Sequence, residues 1–198
     1  MSVNTNIIIG FILIISMSCC NTAPSENNRL NTNNESYDKI SGILNNGGNI
    51  LIDTNYILAN LSLPALINDL SIAELKEKYT AKDIPVFIKS TLENLTHDNF
   101  SIADPGQNWQ STDVIVEKLP ARQLIYLGIG KNITLITFLK GGVGESEHIL
   151  IIKYEGQRII DFWCGNILSR VDNKADIIKY LKKNQDKKLG LNTNIINF

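Results

Sequence analysis

Three side chains in the C-terminal half of the chain have the chemistry of a nucleophilic centre: Cys164, His148 and Asp161. A thiol activated by an imidazole, with a carboxylate orienting the ring, works only if sulfur and nitrogen are within hydrogen-bond reach. The apolar runs His148–Tyr154 and Ile159–Trp163 read as two strands of a hairpin around Glu155-Gly156-Gln157. With Glu155-Gly156 as a two-residue turn, Tyr154 pairs with Gln157 and His148 lies opposite Trp163, with Asp161 diagonal to it on the same face. On that register Cys164 leaves the opposite face, beside Ile149, Ile151 and Lys153. On this pairing the dyad is excluded, an odd shift at the turn would restore it, and Cys164 reads more simply as a small buried hydrophobe at a strand end. The surviving constellation is His148, Asp161 and Trp163. It reads first as an imidazole packed on an indole with a carboxylate nearby, and alternatively as a polar cluster at a pocket rim.

Other motifs carry weaker chemistry. Gly141-Gly-Val-Gly144 has the composition of a phosphate loop, but the next segment reads as a strand where such a loop needs a helix N-terminus. Glu145 and Glu147 also place negative charge where a phosphate would sit, so this is a hairpin loop. With only two histidines, His97 and His148, and no carboxylate or thiol at ligand spacing around either, no metal site is expected. No cofactor motif is present. The stretch Asp104-Pro-Gly-Gln-Asn-Trp109-Gln-Ser-Thr-Asp113 opens on a turn signal and carries a tryptophan, a residue type suited to recognition. Trp109, Arg122, Glu145, Glu147, His148, Asp161 and Trp163 are the candidate binding residues.

The elements that must position them form a meander. Short apolar runs Leu124–Leu127, Ile133–Leu139, His148–Tyr154 and Ile159–Trp163 are separated by glycine-containing turns, with further strands expected at Phe100–Ala103 and Val114–Glu117. Both faces of the last hairpin are apolar over much of their length, so both are expected to be covered. Upstream, Ser71 and Glu74 form a capping-box pattern that predicts a helix to about Tyr79, and Asn49–Leu63 suits a short strand pair or loose wrapping over the core. A second helix starts near Asp83, with Ile84, Phe87, Ile88, Leu92 and Leu95 on one stripe. Asp172 or Asn173 caps a last helix that buries Ile177, Ile178 and Leu181 and ends in lysines. The expected class is α+β: an antiparallel sheet of about five or six strands against N-terminal helices, with a C-terminal helix.

The chain of 198 residues, 43% hydrophobic and 20% charged, suits one domain with a core. A net charge of -1 gives no basic footprint for nucleic acid. Residues 7–15, Ile-Ile-Ile-Gly-Phe-Ile-Leu-Ile-Ile, are too short a stretch to span a bilayer comfortably and precede Ser-Met-Ser-Cys-Cys. This order resembles a bacterial lipoprotein signal. The resemblance implies a signal over residues 1–18 and a lipid on Cys19, with Cys20 the second choice. Ser16 stands where that pattern usually has a large aliphatic residue, and residues 1–18 contain no Lys or Arg. Residues 19–48, rich in Asn, Ser and Thr, then read as a flexible tether and residues 49–198 as a single domain.

These features predict a membrane-anchored protein of the bacterial cell envelope, facing periplasm or exterior. Its non-catalytic domain would bind another envelope protein or a small ligand through an exposed apolar patch or groove. The alternative is an envelope hydrolase using His148 and Asp161, which requires the two side chains to share a polar pocket with at least one strongly perturbed pKa.

Overall fold

A computed structural model describes residues 54–96, 99–114, 116 and 118–187. The signal, Cys19, Cys20, the tether, residues 49–53, His97 and the tail from residue 188 lie outside the described residues. In chain order the elements are α1 (Thr54–Leu58), α2 (Leu63–Ile72), β1 (Lys76–Lys78), a 3-10 turn (Ala81–Asp83), α3 (Val86–Thr96), β2 (Ile102–Ala103), β3 (Arg122–Ile129), β4 (Ile133–Lys140), β5 (Ser146–Glu155), β6 (Arg158–Ile167) and α4 (Lys174–Asn184). The fold is α+β, with β1-β3-β4-β5-β6 side by side and β2 pairing in parallel with the start of β3.

The helix expected to begin at Ser71 instead ends there. Pro64 sits in the first turn of α2, where its missing N–H costs nothing, and Leu63, Leu66, Ile67 and Leu70 supply the buried side. Ser71 donates its hydroxyl to the carbonyl of Ile67 and does not cap. Ala73 turns extended, and Lys76–Lys78 pairs antiparallel with the end of β3. Ladder pairing at a sheet edge has overridden a local capping pattern. The strand pair considered for Asn49–Leu63 is likewise absent over its described part, which holds α1 and the start of α2.

Helix α3 follows Pro85 and buries Ile88, Leu92 and Leu95 on the expected stripe. Helix α4 starts as capping chemistry dictates, with the Asn173 side chain accepting the Asp176 N–H at 2.9 Å. Val114 and Val116 lie in no strand, while residues 115 and 117 are outside the described residues. The described residues between Asp104 and Ala121 form a loop, which a bridge between Thr112 and Gly142 ties to the connection after β4.

The β5–β6 register differs from the expected one by a β-bulge. The turn residues are Gly156 and Gln157, so Glu155 pairs with Arg158 and Tyr154 with Ile159. Ile160 is then an extra residue on β6, after which Lys153 faces Asp161, Ile151 faces Trp163, Leu150 faces Cys164 and His148 faces Asn166. One inserted residue moves every later side chain of β6 to the other face. A similar extra residue, Ile125, interrupts β3 against β4.

Both faces of the sheet are covered, as the apolar hairpin predicts. One carries Ile149, Ile151, Lys153, Asp161 and Trp163 and meets the α1–α2 connection, α2 and α4: Lys153 reaches Asp69 of α2, and Trp163 reaches Asn60. The other carries Phe138, His148, Leu150, Ile152, Tyr154 and Cys164 and meets α3 and Phe100, with Phe87 edge-on to Tyr154 and Phe100 edge-on to Phe138. The resulting core includes Leu66, Leu70, Leu135, Ile149, Ile151 and Leu181 together with Ile88, Leu92, Ile136, Leu150 and Ile152, all fully buried. Burial of that many aliphatic side chains, at about 1.5–3 kcal/mol each, is the main favourable term holding the layers together.

Candidate functional site

The bulge redistributes the chemistry-bearing residues. His148 and Cys164 leave the same face, and Asp161 and Trp163 leave the other. The expected constellation of His148, Asp161 and Trp163 is therefore not assembled. The Cys–His pairing excluded on the expected register returns as a shared face, two residue pairs apart along the ladder.

That face holds a column of stacked groups rather than a nucleophile. The Arg122 guanidinium sits 4.5 Å from the centroid of Phe100, whose ring is edge-on to Phe138 at 5.8 Å. Phe138 in turn stacks flat on the His148 imidazole at 5.1 Å. His148 Nε2 lies 2.9 Å from the Ser146 hydroxyl, and its Nδ1 has no hydrogen-bond partner among the described residues. Burial, with the positive charges of Lys140 and Arg122, pulls the His148 pKa down to about 3. A neutral imidazole of such low basicity is a poor proton acceptor at neutral pH. Burial pushes the Cys164 thiol well above its ordinary pKa, which holds it as the unreactive thiol. Phe100, the centre of this column, holds a φ of +34°, an uncommon conformation for an aromatic residue.

On the opposite face Lys153 places its ammonium 2.7 Å from the Asp69 carboxylate and stands opposite Asp161. The Asp161 carboxylate accepts the Phe162 N–H at 2.7 Å, yet burial outweighs that bond and the pull of Lys153, and its pKa rises to about 6. Trp163 is fully buried, donating its indole N–H to Asn60 at 3.2 Å. The Asn60 amide donates to the carbonyls of Gln185 and Lys187, so this one side chain ties the sheet to the end of α4. Glu147 is buried too. It accepts the Val171 N–H at 3.1 Å and pins the β6–α4 connection, and burial raises its pKa. Four of the seven candidate binding residues, Arg122, Glu147, His148 and Trp163, are thus interior.

Asp161 is half-buried, and the remaining candidates, Trp109 and Glu145, reach the surface at one end of the sheet. Trp109 is half-buried in the Asp104–Ala121 loop. The next residue, Gln110, organises that loop: its amide donates to the carbonyls of Thr112 and Val114 and accepts the Val116 N–H, while its own N–H donates to Pro120. The loop packs so closely on the β4–β5 connection that a Cβ on Gly141 would stand 2.0 Å from the Gln110 carbonyl oxygen.

At the opposite end is a groove that sequence reading did not single out. It has a volume of about 680 Å³ and lies between the end of α2 and the β3–β4 turn. Asp69, Ile72, Ala73, Glu74 and Leu75 form one wall, and Lys76, Ile129, Gly130, Lys131 and Asn132 the other. Leu75 and Ile129 are half-buried, Ile72 is exposed, and Glu74, Lys76 and Lys131 present charges of both signs. Its walls depend on the turn of the chain after Ile72 into β1, which the capping pattern at Ser71 conceals.

Among the described residues no group of three or more His, Cys, Asp or Glu is placed to hold a metal ion. Among the same residues no helix is long and apolar enough to cross a membrane. No protein-family description, curated protein or solved structure matches the chain.

Proposed function

We propose that this chain is a lipoprotein of the bacterial cell envelope, anchored through Cys19, whose domain is a non-catalytic binding module for another envelope protein or a small ligand. The groove between α2 and the β3–β4 turn is the observation that carries the reading. Its size suits a small molecule or a few residues of a partner, and it sets the apolar side chains of Ile72, Leu75 and Ile129 among the charged and polar groups of Asp69, Glu74, Lys76, Lys131 and Asn132. The residues with the strongest chemistry are instead buried in packing roles, and a hydrolase built on His148 and Asp161 has its two groups on opposite faces of the sheet.

Two experiments test the two halves. Growth with labelled palmitate should mark the chain, and Cys19→Ser should remove the label while Cys20→Ser leaves it. Unlabelled wild-type chain would sink the anchor. For the groove, the full-length chain extracted in mild detergent serves as bait for envelope protein and for a small-molecule library followed by thermal shift. The expected result is one stoichiometric partner or one stabilising ligand class, lost in Ile72→Asp and Lys131→Glu. Binding indifferent to both substitutions, or no binding at all, would remove the groove from the function.

A further inference from the structure

One buried hydroxyl lies beside the wall of the groove. The Leu75 side chain covers two glycines: a Cβ on Gly128 would stand 2.9 Å from one of its methyls, and a Cβ on Gly130 2.9 Å from the other. The Gly128 position is also 2.8 Å from the Tyr126 hydroxyl, so methyl and hydroxyl share the space over that residue. Tyr126 is 5% exposed, and its hydroxyl has no hydrogen-bond partner among the described residues. A buried donor left in this state is costly and rare in a native fold. Burial, helped by the Glu77 carboxylate, pushes its pKa up to about 12, so it keeps its proton and can donate. Its complement is an acceptor, and a buried position near Glu77 suits an uncharged one.

The charges at the groove are unequal. Asp69 and Glu74 are its carboxylates, and Asp69 is held by Lys153 at 2.7 Å. Lys76 and Lys131 line it, both exposed and in no ion pair among the described residues. Lys174 of α4 donates to the Ala73 carbonyl of its wall at 2.5 Å. Four ammonium groups thus stand at the groove against two carboxylates, which favours a negative ligand. The large apolar residues of the walls are all aliphatic, so they suit an aliphatic body and offer no ring for stacking. We propose that the groove binds a small N-acylated aliphatic amino acid. Its carboxylate is met by Lys76 and Lys131, its side chain lies on Ile72 and Ile129, and its acyl carbonyl accepts the Tyr126 hydroxyl as Leu75 turns aside. Gly128 and Gly130 carry no Cβ to hinder that rotation. The inference rests on the groove reading above and names its ligand class.

The test titrates the full-length chain, in nonionic detergent and with isotope-labelled Ile and Leu methyls, with N-acetyl-L-leucine. The controls are N-acetyl-L-leucinamide, which lacks the charge, and isocaproate, which lacks the amide. N-acetyl-L-leucine should shift the methyl resonances of Ile72, Leu75 and Ile129 in a saturable way. Each control should bind about fivefold more weakly. Tyr126→Phe should weaken N-acetyl-L-leucine about three- to tenfold, the size of one hydrogen bond, and leave isocaproate unchanged. Lys131→Glu should weaken both anions about fivefold and spare the amide. The Tyr126→Phe chain should unfold at a urea concentration no lower than wild type, because the hydroxyl it loses has no partner among the described residues. A lower midpoint, equal binding of the three probes, or binding indifferent to Tyr126→Phe overturns the proposal. If N-acetyl-L-leucine shifts none of these methyls while another small molecule or an envelope protein does, the ligand class falls and the groove reading stands. If nothing shifts them, both fall.

Discussion

Lys153 stands opposite Asp161 across the last hairpin and holds Asp69 of α2 at 2.7 Å, so its ammonium faces a carboxylate of the sheet and a carboxylate of the helix. Asp161 is the disfavoured member, its pKa raised to about 6 by burial. On the other face His148 is shifted the opposite way, to about 3, also by burial. Their effects on stability oppose each other. The folded state binds the extra proton at Asp161 between about pH 4 and 6, so that group makes stability fall as pH rises through the window. At His148 the unfolded chain binds the extra proton between about pH 3 and 6.5, so stability rises with pH there. The slopes, each about 1.4 kcal/mol per pH unit at full strength, nearly cancel from pH 4 to 6.

Substitution should separate them. Urea midpoints of Asp161→Asn should fall steadily as pH is lowered from 6.5 to 4, because the histidine contribution is left alone. Those of His148→Phe, which keeps the stack on Phe138, should rise over the same interval. Glu147, also raised, adds to the second trend. Two variants with parallel pH profiles would contradict the assignment.

Asn60 is the join between sheet and last helix. Asn60→Ala leaves the Trp163 indole N–H without its acceptor, frees two carbonyls near the end of α4, and puts a less tolerant residue at φ +56°. The expected loss is about 2–4 kcal/mol in denaturant unfolding, with hydrogen exchange rising first in α4. Asn60→Gly, which removes the same bonds but relieves the backbone, should cost less. An equal cost for both would assign the effect to the side chain alone.

Gly141→Ala brings a methyl group into the Gln110 carbonyl and should detach the Asp104–Ala121 loop from the β4–β5 connection. Limited trypsin cleavage at Lys118 should become faster while the core unfolds at nearly the same denaturant concentration. Gly144→Ala, which meets nothing within 4 Å, is the control and should cleave as wild type.

Much of the architecture was legible in the residues. The glycine-punctuated apolar runs gave β3 to β6, the stripe from Ile84 to Leu95 gave α3, and the Asn173 cap gave α4, because each is a local pattern that tertiary packing merely used. The covered second face followed from a hairpin apolar on both sides. What could not be read was the placement of Ile160. A bulge costs little and has no composition signal in a run as uniform as Arg-Ile-Ile-Asp-Phe-Trp, yet it decides which face every following side chain takes. The candidate constellation of His148, Asp161 and Trp163 was lost to that one residue. The groove was hidden for a related reason: Ser71 and Glu74 fit a helix start as well as a helix end, and only pairing of Lys76–Lys78 with β3 chooses between them.

Strands β3 and β4 join the groove at their shared turn to the contact of Gly141 with the Gln110 carbonyl at their far ends. Strands of 8 residues at 3.3 Å each put about 25 Å between the two. The sheet is then a spacer: a substitution that frees the Asp104–Ala121 loop leaves the groove walls in place, and a change in the groove leaves the loop docked.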